Sequence, residues 1–453
     1  MSDPTQKPAL HYSLGQEQGA DQSLARLKAA YRAPVWQRPW RLLNLGGPGF
    51  ANAALTLGAG SLTAAMLSGV NYGYRLLWVP VLAMGLELFL LAGMARLACR
   101  PGLKLIEIQN RRHGQWIGTV LTALVGCFAV AVVFNFGQVV LGLHLIQEGG
   151  KAASIEIPRH AAALGYFVLT ASLVLAFERG GRYVHLIDGA MKGAIAIMLL
   201  AFGGSLLAVG IDWRAAVDGL LSPWLPEGRS GIDLLLGTVG AAAGVMCWVF
   251  FVAAGREREW QPEHEPLARF DLLAGMFTPF VLINVLVICL FAGTLYGTGV
   301  QAEGAPALVE ALVPALGDGI AKLIFYLGFV CVPLTTTVAM SIAGATAVFD
   351  ALGWSREERP WAWRLLALAP QLAIVAVWFP SVRPLWLVIG LAALMTLTNN
   401  FVAWSLYLLL NDDEVLPRDR QPGAFWNAGI ALHITFLNCA AALFVLNRFG
   451  VWQ

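Results

Sequence analysis

The sequence predicts an all-α integral membrane protein of eleven transmembrane helices, arranged as a five-plus-five inverted repeat with its first and sixth helices broken. Three observations predict it. Of 453 residues, 58% are hydrophobic and only 13% charged, about half the charge that a soluble domain carries. Continuous apolar runs long enough to cross a bilayer recur eleven times, without the alternation of barrel strands. Glycines interrupt the first and sixth runs, which are corresponding members of two five-span halves.

Residues 1–43 form a polar arm with no apolar core ahead of a cleavage site, so no signal peptide is expected. Its segment "RLKAAYRAPVWQRPWR" is a basic juxtamembrane stretch that sets topology and attracts anionic lipid. The expected spans are 45–69, 74–98, 116–146, 160–178, 187–210, 232–254, 272–297, 320–350, 362–379, 384–410 and 425–447. The third is long enough to require tilt. Residues 44–410 are expected to form the five-plus-five transporter core, and 411–453 to add a loop and the eleventh span. With the N-terminus cytoplasmic, 22 of the 30 Lys and Arg fall on the inner side, so the C-terminus is expected outside. A bacterial inner membrane is the expected location. The six cysteines lie in or beside apolar runs with no Cys-x-x-Cys spacing, which fits small packed hydrophobes better than disulfides or zinc.

Glycine inside a helix costs about 1 kcal/mol relative to alanine. In lipid, an unpaired backbone group costs several kcal/mol more, so a loosened span must be wrapped by protein or line a cavity. Span one reads "LGAGS" at 57–61 and span six "GTVGAAAGVMCW" at 237–248. Matched interruptions point to a transporter with its binding site at mid-membrane. Close helix packing is the competing use of such glycines.

The stretch "GPGFANAALTLGAGSLTAAMLSGVNYGYRLLWV" (47–79) resembles the opening of the Nramp divalent-metal transporters. Further echoes are "GLKLIEI" (102–108), "GRYVHLIDGAMKGAIAIM" (181–198), "LLSPWLPEG" (220–228) and "LIFYLGFVCVPLTTTVAMSIAGATAVFDALGW" (323–354). The resemblance implies the LeuT-type inverted repeat. It also implies a metal-binding Asp-Pro-Gly-Asn in span one, where this chain has Gly58-Ala59-Gly60-Ser61. The family's metal-ligating aspartate and asparagine are thus Gly58 and Ser61. In span six the family's Met-Pro-His corresponds to Met246-Cys247-Trp248, or, in a register anchored on Gly237, puts Ala241 at the methionine's place. The family's proton-carrying Asp-x-x-Glu in span three reads Asn135 and Gln138, amides that keep the shape of the acids but carry no proton.

The candidate site is therefore Leu57, Gly58, Gly60 and Ser61 with Ala241, Gly244, Met246 and Cys247. Met246 and Cys247 offer soft sulfur, and both are also ordinary packing residues. Glu87, at mid-depth in span two, either accepts hydrogen bonds that the broken helices leave unmade or serves as a cation's counter-charge. Thr336, Asn399 and Asn400 are candidate cavity-lining residues. His144, His185 and His433 read as interfacial or packed side chains. The loop 255–266 has Glu-x-His-Glu but not the paired histidines of a metalloprotease. With no Walker motif or nucleophile elbow, neither enzymatic activity nor a cofactor is expected.

The expected function is alternating-access transport at a neutral site without the family's proton coupling, and without transition-metal cargo. Its cargo would be a small neutral or zwitterionic solute. The alternatives are uncoupled passage of a partly hydrated Mg²⁺ or Mn²⁺, and a non-transporting sensor or scaffold. The expected partners are membrane lipid and a small solute or ion, not nucleic acid.

Overall fold

The computed structural model describes residues 14–178, 182–242, 244–299, 309, 313, 317–379 and 383–450. Side chains are described for all of these except 14–21, 182–188, 320, 323, 324 and 327. The first residues of the arm, residue 243 and the side chain of His185 therefore lie outside the described set. Every described regular element is helical.

Ten helices are long and apolar enough to cross a bilayer, and a bent pair makes the eleventh span. That pair is span 1, Pro48–Thr56 and Ala59–Tyr72, bent by 56°. Span 2 is Trp78–Ala98, and span 3 runs from Trp116 to Ala152, with a wider-wound first part to Ala129. Spans 4 and 5 are Arg159–Glu178 and Arg182–Val209. Span 6 is Gly228–Ala242 followed by Val245–Glu257, and span 7 ends in Thr278–Thr294. Spans 8, 10 and 11 are Asp318–Leu352, Pro384–Leu410 and Ala424–Arg448. Span 9 is Pro360–Leu368 tightening into Ala369–Trp378.

The packing carries the signature of an internal repeat. Span 3 packs on spans 9 and 10, while span 8 packs on spans 4 and 5. The second half of span 1 lies on span 7, and the second half of span 6 lies on span 2. Adding five to each member of one pair yields the other, counting cyclically through ten. Since five is odd, the two halves cross the membrane in opposite senses. Span 11 stands outside this exchange and packs on spans 2, 6 and 10.

The interrupted helices sit at the centre. All of span 6's apolar window is buried in protein, against about a third for span 4. A helix with unmade backbone hydrogen bonds belongs there, where protein rather than lipid surrounds it. Before span 1, the helices Leu14–Arg32 and Arg38–Leu45 lie against the loop and helix that lead into span 7.

Candidate functional site

At the first interruption, Leu57 leaves helical geometry (φ −78°, ψ 43°) and Gly58 is extended (φ −74°, ψ 169°). A helix end leaves carbonyls unpaired on one side and N–H groups on the other. Side chains take up several of them. Thr336 donates its hydroxyl to the Ala54 carbonyl at 2.9 Å. The Ser61 hydroxyl is shared between the carbonyls of Thr56 (2.8 Å) and Gly58 (3.1 Å). On the other side, the Ala59 N–H donates to Gln138 Oε1 at 3.3 Å.

The glycines differ. A methyl group on Gly58 would meet Phe134 and the Thr336 methyl at 3.4 Å and Gln138 Nε2 at 3.6 Å, ordinary contact distances. On Gly60 it would lie 2.6 Å from the Ala392 methyl and 2.9 Å from the Val388 carbonyl. Gly58 thus has room for a methyl group beside span 3, whereas Gly60 lets span 10 approach.

At the second interruption, Gly244 is extended (φ −164°, ψ 134°). The Val245 N–H that begins the second half points to Asn399 Oδ1 at 3.4 Å. Space is left at Gly244, where the nearest atoms to an added methyl would be the Met395 methyl at 3.9 Å and Cys247 Sγ at 4.0 Å. Gly240 is the packing counterpart, since a methyl group on it would run into the Ala392 carbonyl. Ala241, Met246 and Cys247 are all buried. Asn52 joins the two interruptions by donating its amide to the Cys247 carbonyl at 3.1 Å.

Hydrogen-bond chemistry orients the amides. Ala59 brings a donor, so Gln138 must face it with oxygen, which leaves Nε2 without a partner. Cys247 presents a carbonyl, so Asn52 faces it with nitrogen and keeps Oδ1 unpaired. Asn135 donates to Ser341 Oγ at 3.3 Å and toward the Thr337 carbonyl at 3.5 Å, again leaving Oδ1 unpaired. Asn400, about 100° round the helix from Asn399, is buried with an unpaired Oδ1. Asn52, Asn135 and Asn400 thus each carry an amide oxygen, and Gln138 an amide nitrogen, with no partner among the described residues.

Glu87 lies elsewhere. Its carboxylate accepts a hydrogen bond from Trp248 Nε1 on one oxygen, and His433 Nε2 lies 2.7 Å from the other. All three residues are fully buried. Glu87 thereby ties span 2 to the second half of span 6 and to span 11. Among the described residues, no group of three or more His, Cys, Asp or Glu side chains is placed to hold a metal ion.

A narrow cleft with about 20 Å³ of space for water runs on the N-terminal arm's side of the interruptions. Pro48 and Ala51 of span 1, Phe250 and Ala254 of span 6, and Ala339 and Ile342 of span 8 line it. Ion pairs span the same end. Arg256 forks onto Asp350 at 2.8 and 3.0 Å, and Arg356 pairs with Glu257. Each joins span 6 to span 8 or the loop after it.

The structure therefore brings Gly58 beside Gln138 and Thr336, and Gly244 beside Cys247, with Asn399 at the Val245 N–H. Sequence reasoning missed Asn52, Phe134 and Met395. Asn52 had a readable signal, an amide one helical turn before Thr56 in an otherwise apolar half-helix. Phe134 and Met395 had none, being apolar residues in apolar helices.

Comparison with known proteins accounts for this architecture. The model of the Nramp family, natural resistance-associated macrophage protein-like, matches residues 49–446. The divalent metal cation transporter MntH of Verminephrobacter eiseniae is 25% identical over 431 residues, covering 90% of each chain. MntH of Agrobacterium fabrum is 25% identical over 452 residues, covering 95% of this chain and 93% of its own. Among solved structures, the Eremococcus coleocola manganese transporter, in complex with an aromatic bis-isothiourea substituted compound, superposes with a TM-score of 0.74 at 17% identity, over 92% of this chain and 89% of that one. Mhp1, a nucleobase-cation-symport-1 family transporter, superposes with a TM-score of 0.58 at 14% identity, over 89% and 92%. The fold is thus the broken-helix inverted repeat that Mhp1 shares, and by the span of the family match this chain belongs to the Nramp family of membrane transporters.

Proposed function

We propose that the protein is an alternating-access transporter whose mid-membrane site takes a small neutral or zwitterionic solute and does not couple transport to protons in the family's manner. One observation carries this reading. Where the resemblance places a metal-binding carboxylate, Gly58 has no side chain, and the groups around it, Phe134, the Thr336 methyl and the Gln138 amide, are uncharged. No charge there compensates a cation for its lost water. The amide oxygens of Asn52, Asn135 and Asn400 and the amide nitrogen of Gln138 are unpaired acceptors and a donor. A buried unpaired polar group costs about 1–3 kcal/mol, and a solute carrying both donors and acceptors offsets that cost where a bare cation would repel the nitrogen. Asn135 and Gln138 lack titratable protons. The cytoplasmic placement of the N-terminal arm, supported by the Lys and Arg bias, makes the cleft lined by Pro48 and Ala339 the inner exit.

A second reading has support of its own. Amide and backbone oxygens are hard donors suited to a partly hydrated Mg²⁺ or Mn²⁺, and the MntH relatives are named as divalent metal cation transporters.

Proteoliposomes with a trapped metal indicator and a pH dye separate the two. The expected result is no saturable Mn²⁺ or Mg²⁺ uptake above empty liposomes. A panel of amino acids, amides and polyols should include solutes that raise the melting temperature of the wild type but not of Gln138→Leu. Saturable metal uptake would overturn the neutral-solute reading, and acidification alongside it would overturn the loss of proton coupling.

A further inference from the structure

The N-terminal arm carries a feature unrelated to the mid-membrane site. Lys28 and Arg32 stand one helical turn apart on one face of Leu14–Arg32, and Arg41 reaches the same place from the next helix. With the small residues Ala25, Ala29 and Ala33 as floor, the three cations line an open crevice of about 530 Å³. Among the described residues, no carboxylate lies within ion-pair distance of any of them. Several other arginines at this end of the molecule are paired with carboxylates, Arg96 with Glu265, Arg112 with Asp412 and Arg256 with Asp350. Arg41 spends one N–H on Gln37 Oε1 at 3.0 Å and keeps the rest of its guanidinium.

In the chain between Ala33 and Arg41, which both line the crevice, Val35, Trp36 and Trp40 are about 70% exposed. Tryptophan favours the level of lipid headgroups, where its ring sits in hydrocarbon and its N–H meets water. Three cations next to two exposed indoles match the chemistry of a lipid with an anionic head. A free phosphate would have no use for the indoles.

The arm is also fixed to the transporter. Leu27, Ala30 and Leu42 are buried. Ser23 Oγ lies 3.0 Å from His264 Nε2, and Lys192 of span 5 donates to the Leu43 carbonyl at 3.1 Å. Immediately beyond, the N–H groups of Gly47 and Gly49 donate to the Asp271 carboxylate at 2.8 and 2.6 Å. The crevice thus leads through a docked segment to the first half of span 1.

We propose that Lys28, Arg32 and Arg41 form a binding site for the headgroup phosphate of an anionic phospholipid, with Trp36 and Trp40 seated in the interface, and that the bound lipid anchors the arm leading into span 1.

The test uses the full chain in nanodiscs of phosphatidylcholine containing a minority of phosphatidylglycerol, with retained lipid measured by mass spectrometry. Wild type should enrich phosphatidylglycerol several-fold, and each of Lys28→Gln, Arg32→Gln and Arg41→Gln should lower that enrichment about fivefold. The charge-keeping change Arg32→Lys should preserve it, which separates lost binding from lost folding. Arg26→Gln, on the same exposed helix but outside the crevice, should leave it unchanged. Equal loss from Arg26→Gln would mean diffuse attraction and overturn the site. Displacement of phosphatidylglycerol by millimolar inorganic phosphate, or retention unaffected by Trp36→Ser with Trp40→Ser, would overturn the lipid as its occupant.

Discussion

Gly58 and Gly60 stand two residues apart in one Gly-Ala-Gly, and their surroundings give them opposite uses. Alanine at Gly58 meets only ordinary contacts, whereas any side chain at Gly60 or Gly240 drives into span 10. Gly58→Ala should assemble as wild type, while Gly240→Ala should lose about 1–3 kcal/mol, seen as a lower melting temperature. The sequence shows only that glycines interrupt the helix. Which one makes room depends on residues of spans 3, 8 and 10, far away in the chain. The same distance hides Glu87's partners, since neither Trp248 nor His433 lies near it in sequence. Removing one member of a buried hydrogen-bonded contact leaves its partner unsatisfied, at a cost of about 1–3 kcal/mol. Glu87→Ala should therefore destabilise by about that amount without changing the affinity for a solute that stabilises the wild type. A change in that affinity at unaltered stability would place Glu87 in the site.

At the scale of elements, the Arg256–Asp350 pair ties span 6 to span 8, two of the walls of the cleft. Arg256→Gln removes a forked contact to Asp350 that is mostly shielded from water. A cysteine placed at Ala339, on the cleft wall, should then react several-fold faster with a membrane-impermeant thiol reagent applied from that side. The short helix Leu105–His113 gives a pH prediction. Its His113 Nδ1 lies 2.7 Å from Ser405 Oγ of span 10, which also accepts from Gln109. Burial lowers the imidazole pKa below its ordinary value, the charge of Asp412 opposing and that of Arg112 assisting. The unfolded chain therefore binds this proton first, so stability falls as pH drops through about 6.5. Melting temperatures at pH 7.5 and 5.5 should differ less in His113→Gln than in wild type.

At the scale of the whole molecule, the span count and the inverted repeat were legible because each rests on a long local signal. An apolar run and a glycine at its middle need no distant partner to be recognised. Span 11 was legible as a helix but not as a brace. It lies outside the repeat, yet His433 meets Glu87 at mid-depth, and at its end Asn447 and Arg448 hold Asp233 of span 6 at 3.0 and 3.1 Å. Both contacts pair polar groups across the fold, and hydropathy cannot assign them. A chain truncated after Leu410 should fail to give a monodisperse protein, whereas full-length His433→Gln should remain folded with a lowered melting temperature. A monodisperse truncated chain would show that the repeat stands without its brace.

The shared hydroxyl of Ser61 has a kinetic consequence. Two carbonyls at the opening of span 1, those of Thr56 and Gly58, are already occupied by a donor from the chain itself. The opening therefore behaves as an elastic joint with its own restoring contact. A swing of one half-helix against the other would stretch the bond to the Thr56 carbonyl, which crosses the break. In Ser61→Ala that restoring force disappears. The amides flanking the joint should exchange with deuterium faster while those deep within each half keep their protection.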